Sequence, residues 1–427
     1  MASGVMILVF LALMLLGVPV GAAMGLSALL GLNLLDLPLA AFARYLTQDV
    51  RSVPLLAVPF FILTGNLMNR LEMTRRIFDF INGALGFLRG GLAHVNVAAC
   101  MVFGGISGSA LADLAGVGTM VIQAMVRAGY RAEFAAALTV SSSLLAPILP
   151  PSIMFIIYSV LMNVSVVQMF AAGILPGIVL AAILVINNVL LNRFNLEKYP
   201  LPVRTDRRAV ARAGVRALPA LATPVVILRS MVSGMVTPTE ASTVAVCYTL
   251  LLGAIYREVT LERLRLAFLD TARMTSLVMY LTGIGTVMGF VLTSDQVAVQ
   301  LAHGIAVLTQ DKWIVLALAT LSLLVLGCFL ETVPALLIGV PLFGPLVASF
   351  GIDPLHFGVV LTFALLLGII HPPVGLGLFT VCAITGLRLE AVVRASFLFY
   401  PALMLALLLF MFVPILSTWL PGVLFGH

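Results

Sequence analysis

Residues 141–152 read SSSLLAPILPPS, a run of three serines followed by three prolines and a fourth serine inside an otherwise apolar stretch. In a helix each proline removes a backbone donor and pushes the residue before it out of the α region. Serine hydroxyls find no partner in hydrocarbon. The segment is therefore either a packing irregularity covered by neighbours or a break that serves a purpose. Whether the chain repeats it decides between the two.

The surroundings are those of a membrane. Of 427 residues, 62% are hydrophobic and 9% charged, against about 25% charged in a soluble domain. The chain is read as a polytopic membrane protein. Its start, MASGVMILVFLALMLLGVPVGAAMG, has no Lys or Arg before Arg44. It lacks the basic start of a secretory signal and is read as a retained first membrane helix. The net charge of +6 does not point to nucleic acid, because its carriers sit between apolar runs. The densest cluster is Arg193, Lys198, Arg204, Arg207, Arg208, Arg212 and Arg216, a loop that the positive-inside rule makes cytoplasmic. Cys100, Cys247, Cys328 and Cys382 are far apart and read as small buried hydrophobes. No phosphate-binding GxxxxGKS loop and no HExxH occur, so neither ATP hydrolysis nor metalloenzyme chemistry is indicated. The chain is not read as an enzyme, and no cofactor is expected.

The break does recur. GVPVGAAMGLSALLG, with Pro19, resembles VTPTEASTVAVCYTLLLG, with Pro238, at an offset of 219 (238 − 19). The LTG at Leu63–Gly65 returns at Leu281–Gly283, an offset of 218 (281 − 63). FAAALTVSSSLLAPILPPS matches FGVVLTFALLLGIIHPPVG, their double prolines Pro150-Pro151 and Pro372-Pro373 lying 222 apart (372 − 150). A nearly constant offset means two structural repeats, joined by the basic loop. Such repeats mark transporters, whose sites lie at the repeat interface near the bilayer midplane. Segments 39–52, 75–91 and 261–274 mix charge with apolar faces and are expected as connecting helices along the membrane surface.

Each repeat carries two polar interruptions. In the first they are GGISGSALAD (104–113) and the opening stretch; in the second, LGCFLETVPA (326–335) and LLLGIIHPPVG (365–375). Ser109 to Pro150 and Glu331 to Pro372 both span 41 residues. Each repeat thus pairs a hairpin-like tip with a broken helix. A broken helix bares carbonyl oxygens on one side and N–H groups on the other. Carbonyls and hydroxyls suit a bare alkali cation, and half-helix N-termini suit an anion. Glycine and proline also serve close helix packing, but four breaks paired in two copies favour binding. Intramembrane acids are costly and mark function; these are Asp113, Glu240 and Glu331. Glu240 reads equally well as a helix cap, and Asp113 as an anchor of the hairpin through backbone N–H groups. Arg229 has three open readings: an acid partner, an interfacial position or an anion contact. His356 and His371 read as hydrogen-bonded structural residues.

The ordered set GGISGSALADLAGVGTMVIQAM, FAAALTVSSSLLAPILPPS, SGMVTPTEAS and GIDPLHFGVVLTFALLLGIIHPPVGLGLF resembles the large membrane subunit, DctM type, of tripartite ATP-independent periplasmic (TRAP) transporters. The resemblance implies an elevator-type secondary transporter of the ion-transporter superfamily, multi-pass in the bacterial inner membrane. It further implies sodium-coupled import of organic acids, with a small four-helix membrane subunit and a periplasmic substrate-binding protein as partners. A first sodium site would use Ser107, Gly108 and Ser109 with the break at Ser142, Ser143 and Pro147. A second would use Gly327, Glu331 and Thr332 with Gly368, His371 and Pro372. Substrate would meet Ser109, Asp113, Pro151, Ser152 and Arg229. Two departures stand out: the family reads TPPVG where this chain has HPPVG, and commonly glycine where Arg229 stands.

The expected fold is all-α, with two repeats, inverted, built from helical hairpins and broken helices. Residues 1–69 are expected as scaffold, 70–91 as an amphipathic connector and 92–173 as the first half of a transport domain. A membrane helix and basic loop follow at 174–217. The second repeat would run as scaffold 218–256, connector 257–275, further scaffold 276–310, transport half 311–386 and a C-terminal membrane helix 387–427. The alternative function is a stand-alone proton-coupled or antiporting carrier of organic anions.

Overall fold

The computed structural model describes residues 2–197, 199–200, 207–372 and 374–426. Lys198 and Arg204 of the basic cluster, and Pro373 of the second double proline, lie outside the described residues. Among the described residues every regular element is helical, and eight helices are long and apolar enough to cross a membrane. The expected first membrane helix is instead two, Ala2–Leu15 and Val20–Leu34. Gly17 takes a left-handed conformation (φ 80°) and Pro19 follows it, so the helix stops and restarts. The expected C-terminal helix is likewise three pieces. Leu389–Ser396 and Tyr400–Phe412 meet at 56°, and Ile415–Phe425 follows, with Pro401 and Pro414 at the two restarts.

Both hairpins and both broken helices are present. The first hairpin descends as Gly91–Ser107, turns at Gly108–Ser109 and returns as Ala110–Arg127. One π-helical turn, Leu114–Gly118, interrupts the return. The first broken helix is Ala132–Ser143 and Ile153–Met162. In the second repeat the hairpin is Lys312–Phe329 and Thr332–Ser349, and the broken helix is Pro354–Gly368 and Leu376–Thr385.

Contacts fix their directions. The base of the first hairpin and the start of the first broken helix lie beside the basic loop: Arg131 Nε donates to Glu197 at 2.9 Å, and Gly90 faces the Tyr199 ring. That broken helix ends against the base of the second hairpin, where Leu161 and Met162 share a cavity with Pro345 and Ala348. The second broken helix starts on that far side, Tyr158 Oη donating to the Pro354 carbonyl at 2.5 Å. It finishes back at the near side, Ile384 and Thr385 sharing a cavity with Arg127 and Ala132. The broken helices therefore run antiparallel and the hairpins enter from opposite faces. This is the expected inversion.

The connectors differ between repeats. Residues 261–274 do not form a separate surface helix, and 276–294 is not a separate scaffold helix. Both belong to one 34-residue helix, Leu261–Ser294, about 51 Å long at 1.5 Å per residue. At the repeat offset of 218 the same stretch of the first repeat is broken into Ala40–Gln48, two 3-10 turns and Ala57–Arg70. Pro54 sits in that break, where the second repeat has Ala272. The missing N–H and the restricted residue before it are the cause. The amphipathic helix Met73–Leu85 falls within the expected 70–91.

Candidate binding site between the hairpin tips

At the first tip, Gly108 adopts φ 61° and presses on the broken helix. A Cβ built there would lie 2.7 Å from the Pro151 carbonyl oxygen and 3.0 Å from the Ile153 nitrogen. Only glycine tolerates both the conformation and the approach. The tip is tied by its own side chains. Ser107 Oγ donates to the Asp113 carboxylate and accepts from the Ser109 N–H at 3.3 Å. Ser109, extended, caps the return helix by accepting from the Ala112 N–H at 3.4 Å. Asp113 thus holds the tip through the Ser107 hydroxyl, not through the backbone N–H groups expected from sequence. It is 3% exposed, and its second carboxylate oxygen is unpartnered.

In the break itself Ser141 and Ser143 return their hydroxyls to the carbonyls of Ala137 (2.9 Å) and Val140 (2.8 Å). Ser152 donates to Pro147 O at 2.5 Å and accepts from Phe155 N at 3.2 Å, capping the second half-helix. The Ser142 hydroxyl alone among the four is buried with no partner. An orphaned buried hydroxyl costs stability unless something meets it, and an alkali cation is a species that would.

The second tip repeats the plan with backbone alone. A Cβ on Gly368 would lie 2.2 Å from the Gly327 carbonyl carbon, so hairpin and broken helix touch main chain to main chain. Gly375 N donates across the gap to Cys328 O at 3.3 Å. The corresponding first-repeat contact is Gly104 on Ala146, where a Cβ on Gly104 would sit 2.5 Å from Ala146 Cα. Gly104 to Ala146 spans 42 residues (146 − 104) and Gly327 to Gly368 spans 41 (368 − 327), so the two contacts correspond to within one residue. His371 does not present its ring as a hydroxyl substitute. Its Nδ1 donates to Pro372 O at 2.7 Å, and the ring stacks on Tyr400, centroids 5.7 Å apart. Tyr400 Oη in turn donates to Ile370 O at 2.6 Å.

The tips converge. Gly108, Ser109 and Pro147 share one cavity of about 70 Å³ with Glu331 and Thr332, closed by Met274, Leu277 and Val278 of the long helix. Ser109 and Glu331, 222 residues apart, are the N-cap residues of the two 18-residue return helices. Two helix N-termini therefore aim their free N–H groups and positive dipole ends into one space. Glu331 is partly exposed to it and makes no side-chain capping bond.

Other expected substrate contacts fall elsewhere. Pro151 and Ser152 are buried behind the first tip, and Asp113 is bonded away from the cavity. Arg229 is exposed on the helix Arg207–Val232 and lines none of these spaces. Glu240 resolves as a cap: Thr237 N donates to its carboxylate at 2.7 Å, and Glu240 N donates to Thr237 Oγ1 at 3.3 Å. His356 bonds Ser417 Oγ at 3.0 Å, as a structural histidine should. Cys247 is exposed, not buried. Sequence reasoning missed Gly65, whose Cβ would lie 3.3 Å from Ser107 Cα, although the repeated LTG flagged it. It also missed the apolar wall at 274–278, for which the sequence carries no signal.

The sequence matches the family described as tripartite ATP-independent periplasmic transporter, DctM component, over residues 7–416. It is 35% identical to the C4-dicarboxylate TRAP transporter large permease protein DctM of Pseudomonas aeruginosa, covering 86% of each chain. To the sialic acid TRAP transporter large permease protein SiaM of Vibrio cholerae it is 34% identical over 98% of each. In fold it is similar to the crystal structure of the Alcanivorax borkumensis YdaH transporter, with a TM-score of 0.62 at 13% identity, over 88% of this chain and 87% of that one. Opposed hairpins, antiparallel broken helices and a family match over nearly the whole length agree: the chain belongs to the DctM family and is the large permease component of a tripartite ATP-independent periplasmic transporter.

Proposed function

We propose that this permease imports an organic acid, driven by sodium, by an elevator movement in the bacterial inner membrane. Its partners in this reading are a small membrane subunit and a periplasmic substrate-binding protein. The observation that carries the proposal is the convergence of two return-helix N-termini on one cavity, each backed by a tip–break contact. Helix N-termini favour anionic groups, and the relatives named above carry a C4-dicarboxylate and sialic acid, both carboxylates. Sodium would be held by tip and break together. On the first side Ser107, Gly108 and Ser109 would face the unpartnered Ser142 hydroxyl, with Ser143 and Pro147. On the second, Gly327, Glu331 and Thr332 would face Gly368, His371 and Pro372.

A cavity of about 70 Å³ is well below the roughly 300–1,000 Å³ of small-molecule pockets, and does not take an organic acid in this arrangement. Substrate entry therefore needs the tips to part from the long helix. In the elevator reading 92–173 and 311–386 travel together as the transport domain. The segments at 1–69, 218–256 and 276–310 remain as scaffold, with 276–294 fused to the connector before it. A proton-coupled carrier would lean on His371, whose ring is tied to Pro372 and Tyr400. That restraint favours sodium.

The test is thermal unfolding of the purified chain in sodium, potassium and choline chloride at equal ionic strength. Sodium at one hundred times its dissociation constant should stabilise by about 2.7 kcal/mol. Equal melting in all three salts would remove the sodium part of the proposal.

A further inference from the structure

On the side of the basic loop a second cavity, of about 430 Å³, opens between the amphipathic helix Met73–Leu85, the helix Arg207–Val232 and the start of the long helix. Four arginines line it, Arg75, Arg76, Arg216 and Arg263, against the carboxylates of Glu72, Asp79 and Glu258. Glu258 takes two of the arginines, Arg76 at 3.1 Å and Arg263 closer still. Glu72 lies 3.8 Å from Arg263. Arg76 is also held over the Tyr256 ring at 4.4 Å, and its Nε is buried without an acceptor. Among the described residues neither Arg75 nor Arg216 is in an ion pair. The cavity thus keeps one positive charge in excess and one buried N–H unmet.

The outer faces of its helices are apolar. Val215 and Leu218, turned away from the face that carries Ala213 and Arg216, are 75% and 66% exposed, and Leu261, turned away from Arg263, is 85% exposed. Exposed apolar faces on membrane helices suit hydrocarbon, and a charged cavity at the helix starts suits the headgroup layer. We propose that this cavity binds the anionic phosphodiester headgroup of a phospholipid, with Arg216 and Arg76 Nε meeting the phosphate and the acyl chains lying along the outer apolar faces of the helices. Basic pockets between membrane helices bind acidic lipid headgroups by this combination. The site is separate from the transport cavity and does not rest on the proposed substrate or ion. It joins the first repeat's connector to the start of the second's, so an occupying lipid would brace that joint.

Native mass spectrometry of the detergent-purified full chain, titrated with phosphatidylglycerol or phosphatidylcholine, tests it. Phosphatidylglycerol should bind the more tightly. Arg216→Gln, and separately Arg75→Gln, should each weaken it about fivefold, the worth of one basic residue at a membrane surface. Arg212→Gln, on the same helix but outside the cavity, should not. Equal retention of the two lipids, or an equal loss in Arg212→Gln, would overturn the assignment. Displacement of the lipid by an equimolar amount of inorganic phosphate would reassign the site to a free anion and overturn the lipid claim as well.

Discussion

Replacing Gly368 by alanine adds one methyl at the tightest contact between hairpin and broken helix. The new Cβ would lie 2.2 Å from Gly327 C, 2.5 Å from Gly327 Cα and 2.6 Å from Cys328 N. Non-bonded carbons rest at about 3.5–4.0 Å. All three neighbours are main chain, so no side chain can turn aside, and the two backbones must part by roughly 1.3–1.8 Å. Overpacking of this kind costs about 1–3 kcal/mol. A binding site tolerates only about 0.5 Å of displacement. The second tip–break contact should therefore lose its ion while the rest of the fold persists. In thermal unfolding, Gly368→Ala should melt below the wild type in choline and show a reduced further rise in sodium. Gly422→Ala, whose Cβ meets nothing within 4 Å, is the control and should behave as wild type. If Gly368→Ala keeps both the wild-type melting point and the full sodium shift, the contact has been misjudged and the reasoning fails.

Ser142→Ala removes the one break hydroxyl that lacks a partner. Because no bond is lost, its stability in choline should stay within about 0.5 kcal/mol of wild type, while the sodium shift shrinks; a large loss in choline would show the hydroxyl to be bonded after all. Tyr158→Phe deletes the bond to Pro354 O that ties the two broken helices and should cost about 1 kcal/mol, read as faster hydrogen exchange at 354–358 with no change at 91–107. Glu258 is held below its ordinary value of 4.5 chiefly by the hydrogen bond from Arg263. Its contribution to stability is therefore complete above the ordinary carboxylate range and is lost as pH falls through the lowered value. Wild type and Glu258→Gln should differ in melting at pH 6 and converge at acid pH, and a constant gap down to low pH would contradict this.

Much of the architecture was open to reading because membrane chains obey few rules. Apolar runs longer than one span, interrupted by Gly, Ser and Pro, had to be hairpins or breaks, since a stray polar backbone has no partner in lipid. The offset of about 220 residues paired them into repeats. The same arithmetic located the tips at Ser109 and Glu331, which the structure brings to one cavity. Local chemistry of short range was legible too: Thr237 with Glu240 is a capping box, with Pro238 just inside the helix.

What the sequence could not fix is what depends on neighbours hundreds of residues away. Whether 261–294 bends at its polar first half or runs straight is decided by packing, because no proline forces a break there as Pro54 does in the first repeat. The direction in which each side chain turns was equally hidden. Asp113, Ser152 and His371 looked like ligands by residue type, and local hydrogen bonds take one carboxylate oxygen of Asp113, the Ser152 hydroxyl and the Nδ1 of His371. The apolar residues at 274–278, unmarked in sequence, close the cavity. Composition and spacing therefore determined the elements, their pairing and the places where the backbone is bare. Only the tertiary structure decided which of the exposed groups remain unpaired, because a hydrogen bond is settled by which partner arrives within about 3 Å.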